Sequence, residues 1–410
     1  MYTEITQCRI SGSTNLIPVL SLGNHALTGV FPKRRNDPVT TGPLELVWCP
    51  ESELLQLRHS YDPKEMYGAN YGYRSSLNRS MVNHLRRKVE QLSRYVPLDG
   101  GDLVVDIGSN DGTLLKCYPN TALRRIGMDP TGAKFRDCYT DGIELIADFF
   151  EASALSRQVK GQKAKIITSI AMFYDLESPL RFVEEVAGSL HPGGIWHFEQ
   201  SYMPSMLRLN AYDTICHEHL EYYSLTPVRN LLETCGLKIV DVQMNTVNGG
   251  SFAVTAAHAG SRRPENRAVI DWMLAQEDRM GLSTPRPFRS FEAGVFEHRK
   301  NLVSLIGALN ADGKKIVGYG ASTKGNVLLQ FCGFSQKEIA AIGDVNPDKF
   351  GAYTPGTGIP IVSEPEARAL KPDYYLVLPW HFRDSIIERE KDYIAAGGKM
   401  IFPFPEIEIF

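Results

Sequence analysis

Short apolar runs that end in a glycine or an acidic residue recur along this chain, with helical patterns between them. Four runs lie at 103–108, 124–130, 164–170 and 195–200, and three more at 314–320, 339–347 and 373–380. An apolar run of this length indicates a strand buried on both faces, as in a parallel sheet. Strands that alternate with helices predict a doubly wound α/β sheet, and the two groups of runs predict two of them.

The N-terminal part of the chain has a different character. It is rich in glycine, proline, tyrosine and short apolar runs, which is typical of a small, loop-rich module. A helical apolar stripe from Ser80 to Tyr95 connects it to the first sheet. We therefore divide the 410 residues into an N-terminal module (1–75), a central α/β domain (76–265) and a C-terminal α/β domain (266–410).

Composition and charge argue against several classes of partner. Hydrophobic residues make up 43% of the chain and charged residues 22%, as in ordinary globular proteins. The formal net charge of -3 does not favour nucleic acid or an acidic membrane as a partner. The N-terminus has no apolar signal-peptide core, and no apolar run reaches the ~18 residues of a membrane span, so we expect a cytoplasmic protein. The seven scattered cysteines are expected to be reduced.

The segment VVDIGSNDGTLL has the features of a cofactor loop. A predicted strand ends at Asp106, and Gly108 and Gly112 let the backbone turn sharply and approach a ligand closely. The helix that follows offers free N–H groups at its start. The segment therefore predicts a small-molecule site at the end of the first strand of the central sheet.

The ligand of this loop is suggested by its spacing. Asp129 ends the next predicted strand, where an acid can accept hydrogen bonds from both hydroxyls of a ribose. The loop does not read GxGxxG; it resembles motif I of class I S-adenosylmethionine methyltransferases. That resemblance adds Asn110 in the loop, and Asp148 as the acid near the adenine, to the expected contacts. NAD is the alternative cofactor.

A second segment, YDTICHEHLEYYS, concentrates ionisable and aromatic residues. His217 and His219 are two positions apart, so they cannot share a helix face as in zinc proteases, whereas on an extended segment they point the same way. The pair lacks a clear third metal ligand. A neutral histidine beside a carboxylate can instead act as a general base near pH 7. We therefore interpret this segment as catalytic, with a polar loop as the alternative.

A series of motifs runs along nearly the whole chain: LSLGNHALTGVF, YGYRSS, DIGSNDGTLL, YDTICHEHLEYYS, NGGS, YGASTKGN, DVNPDKFG, PGTGIPI and LPWHFRD. In this number and order they resemble the sugar C-methyltransferases, which include the deoxysugar C-3 methyltransferases of antibiotic biosynthesis. The resemblance implies an N-terminal zinc module and a central class I methyltransferase domain with a Rossmann-like sheet. It also implies a C-terminal Rossmann-like α/β domain that helps to hold a nucleotide-linked sugar.

The resemblance also implies a chemistry. A carbon next to a ketone can lose a proton, and the resulting enolate can attack the methyl group of S-adenosylmethionine. The expected acceptor is C3 of a nucleotide-linked 4-keto-6-deoxy sugar, with dTDP as the expected nucleotide. His219 resembles the family's base, and Glu218 its partner or a sugar contact. Tyr71 and Tyr73 resemble hydroxyl donors near the sugar or its enolate oxygen.

Further residues are assigned to the substrate. In the third module, Ser322, Thr323 and Lys324 follow a glycine turn at a helix start, which is either an anion cradle or a plain strand-to-helix turn. Cys216 stands where the family often has a tyrosine, and His381 where an asparagine is expected, so two sugar contacts differ. The expected substrate contacts are His217, Tyr222, Asn248, Ser251, Tyr319, Ser322, Lys324 and His381.

The N-terminal module departs from the family pattern. The family's zinc module uses two CxxC pairs, whereas the corresponding segments here read CRIS and CPES. Cys8 and Cys49 remain, but a four-thiolate zinc site is lost. Two thiolates with His25 or His59 are the remaining way to bind a metal, and nothing in the spacing demands it. We predict no metal ligands.

Two other functions are compatible with the same residues. A nucleotide-sugar oxidoreductase or epimerase could use KIVGYGASTKGN in the third module as an NAD site, although GxGxxG and a YxxxK pair are missing. A non-catalytic nucleotide-sugar-binding protein could have kept the fold. The retained Glu218 and His219 argue for catalysis.

Overall fold

The computed structural model describes residues 2–67, 73–119 and 122–410; Tyr71, one of the predicted catalytic residues, lies outside them. The N-terminal module consists of β1 (Tyr2–Glu4), β2 (Ile17–Ala26), β3 (Thr41–Cys49), β4 (Leu54–Leu57), β5 (His59–Tyr61) and α1 (Pro63–Met66). Strands β2, β3 and β4 form an antiparallel meander, and β1 pairs with β5. The expected small, loop-rich module is therefore a β-sheet module.

The central domain contains a seven-stranded sheet in the order β12-β13-β10-β9-β6-β7-β8. Its elements are α2 (Arg79–Tyr95), β6 (Leu103–Ile107), α3 (Thr113–Lys116), β7 (Arg124–Met128), β8 (Ile143–Ile146), α4 (Ala152–Val159), β9 (Ala164–Ile170), α5 (Pro179–Ser189), β10 (Leu190–Ser201), α6 (Met203–Arg208), β11 (Glu221–Tyr222), α7 (Leu225–Thr234), β12 (Leu237–Asn245) and β13 (Ser251–His258). Strands β6 to β10 are parallel, whereas β13 runs antiparallel between β10 and β12. The predicted Rossmann-like sheet is confirmed.

The C-terminal domain contains a six-stranded sheet in the order β16-β15-β14-β17-β18-β19. Its elements are α8 (Arg267–Met280), α9 (Arg286–Ala311), β14 (Ile316–Tyr319), α10 (Thr323–Cys332), β15 (Ile342–Asp344), β16 (Ile361–Ser363), α11 (Glu364–Ala369), β17 (Tyr374–Val377), α12 (Arg383–Arg389), α13 (Lys391–Ala395), β18 (Lys399–Phe402) and β19 (Glu408–Ile409). All pairs are parallel except β18 with β19. This confirms the second Rossmann-like domain.

The three parts share their cores. Trp48 of β3 packs against Phe288 of α9, with ring centroids 5.3 Å apart. The side-chain amide of Gln330 in α10 accepts the backbone N–H of Ala26 in β2 and donates to the carbonyl of the same residue. It thereby makes the two hydrogen bonds that a neighbouring strand would make. Strand β11 of the central domain pairs with β4 and completes the N-terminal sheet. The other two parts also reach the segment before β11, because Trp380 bonds to Asp213 and Thr28 bonds to Glu218. Among the helices that the structure describes, none has the length and apolar character to cross a membrane.

Candidate active site

The predicted cofactor loop follows β6 and turns as its glycines require. Gly108 and Gly112 have φ of 74° and 72°, and Asn110 between them has φ of 50°. These are left-handed conformations, which cost a side chain energy everywhere except at glycine and, less severely, at asparagine. A Cβ on Gly108 would lie 2.9 Å from Cγ of Met172. Glycine at position 108 is therefore favoured both by the left-handed backbone and by the close approach of Met172.

Asp129 at the end of β7 holds this loop. Its Oδ2 accepts the N–H of Asn110 at 2.8 Å, and its Oδ1 accepts the N–H of Thr131 at 2.6 Å. A carboxylate oxygen can accept more than one hydrogen bond, so the capacity to bind ribose hydroxyls remains. Asp106 is buried and accepts the hydroxyl of Thr168 at 2.6 Å. This hydrogen bond links β6 to β9, and burial raises the pKa of Asp106 to about 7.

The carboxyl ends of β6, β7 and β8 form one edge of the sheet, because these strands are neighbours. They carry, in order, the glycine loop, Asp129 and Asp148. With neighbouring strands about 4.8 Å apart, the three positions span about 10 Å, which fits an extended nucleoside such as S-adenosylmethionine. Phe149, which sequence reasoning missed, follows Asp148 and is 43% exposed. Its side chain is available at this edge of the sheet, and the aromatic pair in ADFF was the signal in the sequence.

The His–Glu–His segment forms a turn. The N–H of His219 donates to the carbonyl of Cys216 at 3.1 Å, so the two histidines point apart instead of sharing one side as on an extended segment. His217 is fully buried, edge-on to Tyr61 at 4.6 Å between ring centroids. Burial, then the charge of His25, lowers the pKa of His217 to about 3. The turn places His217 against the N-terminal module, away from the position of His219.

His219 has the chemistry of a neutral base. Its Nδ1 lies 2.9 Å from the carbonyl oxygen of Thr214. Because a carbonyl only accepts, Nδ1 carries the proton and Nε2 has a free lone pair. Burial, then the positive charge of Lys324, lowers the pKa of His219 to about 3, so the ring is neutral at pH 7. The cavity beside it is lined by Tyr174, Ser201, Met203, Met206, Thr214, Glu221 and Tyr222.

Glu218 faces the N-terminal module and the C-terminal domain together. Thr28 donates its hydroxyl to Glu218 Oε2 at 3.4 Å. A Cβ on Gly29 would overlap Glu218 Oε1 and lie 3.9 Å from Oγ1 of Thr323. Burial raises the pKa of Glu218. Gly29, a second residue that sequence reasoning missed, therefore makes room for this carboxyl group; its place in the LTGVF motif was the signal.

Lys324 joins the site from the start of α10. Its Nζ donates to the carbonyl of Asn248 at 2.9 Å. Asp213 interacts with this charge and accepts the indole N–H of Trp380 at 2.8 Å. Burial, then the charge of Lys324, lowers the pKa of His381 to about 3. The structure therefore gathers Lys324, Asn248 and His381 on the side of His219 that the C-terminal domain covers.

Other predicted substrate residues use their hydroxyl groups within the fold. Ser322 caps α10 by accepting the N–H of Gly325 at 3.0 Å. Tyr319 donates to Glu390 at 3.0 Å, and Ser251 donates to the carbonyl of Val247 at 2.9 Å. The structure does not bring these hydroxyls to His219.

The glycine turn before α10, which was predicted as either an anion cradle or a plain turn, contains a local hydrogen bond to a carboxylate. The carboxylate of Asp344 accepts the N–H of Ala321 at 2.6 Å in the glycine turn before α10. This favours a plain strand-to-helix turn over an anion cradle, because a carboxylate repels phosphate.

Tyr73 lies beside the cofactor loop, where its carbonyl accepts the side-chain N–H of Asn110 at 3.2 Å.

Three family models match successive parts of the chain. A proposed zinc binding domain matches 8–67, a methyltransferase domain 77–242, and the C-methyltransferase C-terminal domain 246–405. The C-methyltransferase NovU of Streptomyces niveus is 34% identical over 405 residues, which cover 98% of this chain and 96% of that protein. This chain belongs to the C-methyltransferase family. Its activity is S-adenosylmethionine-dependent C-methylation, and the expected cofactor is confirmed at that level.

Two solved methyltransferase structures align with part of this chain. Mitomycin 7-O-methyltransferase MmcR is 15% identical, covers 45% of this chain and 55% of that chain, and has a TM-score of 0.34. Magnesium protoporphyrin IX methyltransferase from Synechocystis PCC 6803, with bound SAH, is 15% identical, covers 43% and 84%, and has a TM-score of 0.33. Scores this low add nothing to the assignment. Family membership favours methyl transfer over the oxidoreductase alternative.

Proposed function

We propose that this protein methylates C3 of a nucleotide-linked 4-keto-6-deoxy sugar, with dTDP as the nucleotide and His219 as the base. One observation carries the proposal. A neutral histidine, with a lone pair on Nε2, lines a small cavity of the central domain and interacts with the charge of Lys324 from the C-terminal domain. A base is needed there because an unactivated carbon is a poor nucleophile.

The proton moves in the first step. Nε2 of His219 takes a proton from the carbon next to the ketone. The electron pair of the broken C–H bond forms a carbon–carbon double bond, and the negative charge moves to the ketone oxygen to give an enolate. The carbonyl of Thr214, which accepts from Nδ1–H, then stabilises the charged ring. The enolate carbon forms the new C–C bond as the carbon–sulfur bond of the methyl donor breaks. Bound S-adenosylmethionine supplies that methyl group on a positively charged sulfur.

Lys324 offsets the weakness of the base. A pKa of about 3 makes His219 a poor acceptor of protons in the empty site. The charge of Lys324 contributes to that low pKa. We place the ketone oxygen of the sugar on the side of Lys324, where the same charge would stabilise the enolate. The same cation therefore disfavours a charged histidine before the reaction and favours the negative charge that the reaction creates.

The cofactor is held at the neighbouring sheet edge. The glycine loop at 108–112 offers its backbone, Asp129 the acceptors for ribose hydroxyls, and Asp148 an acid at the adenine end. Tyr73 lies beside this loop, and we place it among the groups that close over the reacting carbon. The buried turn at 217–219 excludes water, which would otherwise protonate the enolate.

The test separates proton removal from methyl transfer. The protein is incubated with S-adenosylmethionine and a panel of nucleotide-linked 4-keto-6-deoxy sugars, and the product is examined for the mass of one added methylene group. A second incubation in D2O without the methyl donor follows deuterium uptake at C3 by NMR. We expect wild-type protein to do both, and His219→Asn to lose about 10²–10⁴-fold in both while still binding S-adenosylmethionine.

The matched control is His191→Asn. His191 lies at the opposite end of the long strand β10 from Ser201, and its ring nitrogen accepts an N–H that an asparagine oxygen can also accept. This variant should react at the wild-type rate. A folded His219→Asn that methylates or exchanges at the wild-type rate would contradict the base assignment. Cofactor binding without product on any sugar would contradict the proposed acceptor.

A further inference from the structure

Two tight turns of the N-terminal module bring four side chains together. Cys8 and Ser11 lie in the turn before β2, and Cys49 and Ser52 flank the turn between β3 and β4. Sγ of Cys8 is 3.2 Å from Oγ of Ser52, and Oγ of Ser11 is 3.4 Å from Sγ of Cys49. Each thiol therefore faces a hydroxyl from the other turn. We call this group the Cys–Ser quartet.

The donor set of the quartet does not fit a structural zinc ion. Such sites take four thiolate or imidazole ligands, and a serine hydroxyl stays neutral and binds zinc poorly. Across 2–67, 73–119 and 122–410, no three His, Cys, Asp or Glu side chains converge on a point that could hold a metal ion. His59 stacks edge-on against Tyr2 at 5.2 Å, and His25 interacts with His217. Neither histidine supplies the third ligand that we considered from the sequence.

Hydrogen bonds hold the two turns where a metal would otherwise be needed. The hydroxyl of Ser52 also accepts the N–H of Leu54 at 3.3 Å, and Cys49 donates to Glu51 at 3.3 Å. Cys8 and Cys49 are 3% and 0% exposed, and both pack in the core of the central domain. The turns are thus fixed by polar contacts on one side and by apolar burial on the other.

We propose that the N-terminal module folds without zinc, and that the Cys–Ser quartet keeps the geometry of a four-ligand metal site from which two ligands have been lost. Zinc–sulfur bonds of about 2.3 Å place tetrahedral thiolates about 3.8 Å apart. The cross-turn contacts of 3.2 and 3.4 Å are close to that separation. The longer carbon–sulfur bonds of cysteine would require only a small outward shift. Replacing both serines with cysteine should therefore rebuild a zinc site.

The test measures zinc per chain. Wild-type protein, S11C/S52C and S11A/S52A are purified with a reductant, equilibrated with zinc, passed over a weak chelating resin and analysed by elemental mass spectrometry. We expect about one zinc ion per chain in S11C/S52C and less than about a tenth of that in the other two. Addition of EDTA should leave the wild-type melting temperature unchanged and lower that of S11C/S52C.

The outcomes divide clearly. Wild-type protein that retains one zinc ion and loses thermal stability in EDTA would overturn the proposal. A folded S11C/S52C, judged by circular dichroism, that binds no zinc would overturn the claim of retained geometry. If S11C/S52C does not fold, the zinc content and EDTA response of wild-type protein still decide whether the module is metal-free.

Discussion

Replacing Glu199 with glutamine is expected to destabilise the central domain strongly, although the two side chains have almost the same size and shape. The carboxylate is 2% exposed and bonds to Nε2 of His84 at 2.6 Å, Nζ of Lys88 at 2.8 Å and Nδ2 of Asn245 at 2.8 Å. Lys88 is itself buried, at 6% exposure. Glutamine keeps the shape but leaves this ammonium group without a counter-charge.

The magnitude follows from the pKa of the carboxyl group. Burial alone would raise it, but the hydrogen bond from His84 and the charge of Lys88 lower the pKa of Glu199 from 4.5 to about 2. At about 1.4 kcal/mol per pKa unit, ionisation stabilises the fold by about 3 kcal/mol at pH 7. Breaking a buried ion pair costs about 3–5 kcal/mol, which agrees. Because the folded pKa is depressed, this stabilisation is complete above pH 4.5 and is lost as the pH falls towards 2.

Urea unfolding at pH 7, followed by tryptophan fluorescence, measures the effect, since Trp196 is buried in the same strand as Glu199. The control is Glu388→Gln, because Glu388 pairs with Lys391 at 3.5 Å on the surface with its side chain 80% exposed. Surface pairs contribute little, so the control should unfold at the wild-type urea concentration. If Glu199→Gln unfolds there too, the network does not stabilise the fold as argued.

Three other predictions concern the contacts between domains and the base. Trp380→Phe removes the indole N–H from the buried carboxylate of Asp213, and should lower the unfolding free energy by about 1–3 kcal/mol in urea titrations; an unchanged midpoint would contradict this. Gln330→Ala removes both hydrogen bonds to Ala26 and should speed amide hydrogen exchange in β2; unchanged protection would show that the contact is dispensable. The pKa of His219 in the folded protein lies below its ordinary 6.5. Below pH 6.5 the unfolded chain therefore gains a proton on this residue while the folded ring stays neutral, so the folded state loses stability. C3 deuterium exchange should therefore show no loss centred near pH 6.5, and a loss there would refute the neutral-base assignment.

Much of the framework could be read from local patterns. The apolar runs predicted β6, β7, β9 and β10 of the central sheet and β14, β15 and β17 of the C-terminal sheet, because a strand buried on both faces is apolar along most of its length. The glycines of the cofactor loop predicted a sharp turn because few other residues adopt the left-handed φ observed at Gly108 and Gly112. The motifs predicted the C-methyltransferase family because each motif is a contiguous stretch of sequence that can be recognised without a structure.

The site depended on contacts that no local pattern contains. The His–Glu–His segment turns just before β11, which pairs with β4 more than a hundred residues away, and the turn separates His217 from His219. Lys324 reaches the base only because the C-terminal domain packs over the central one. The sequence by itself determined which elements form, since burial and backbone preference are local. Tertiary structure decided which charges meet, since packing between distant elements sets those distances.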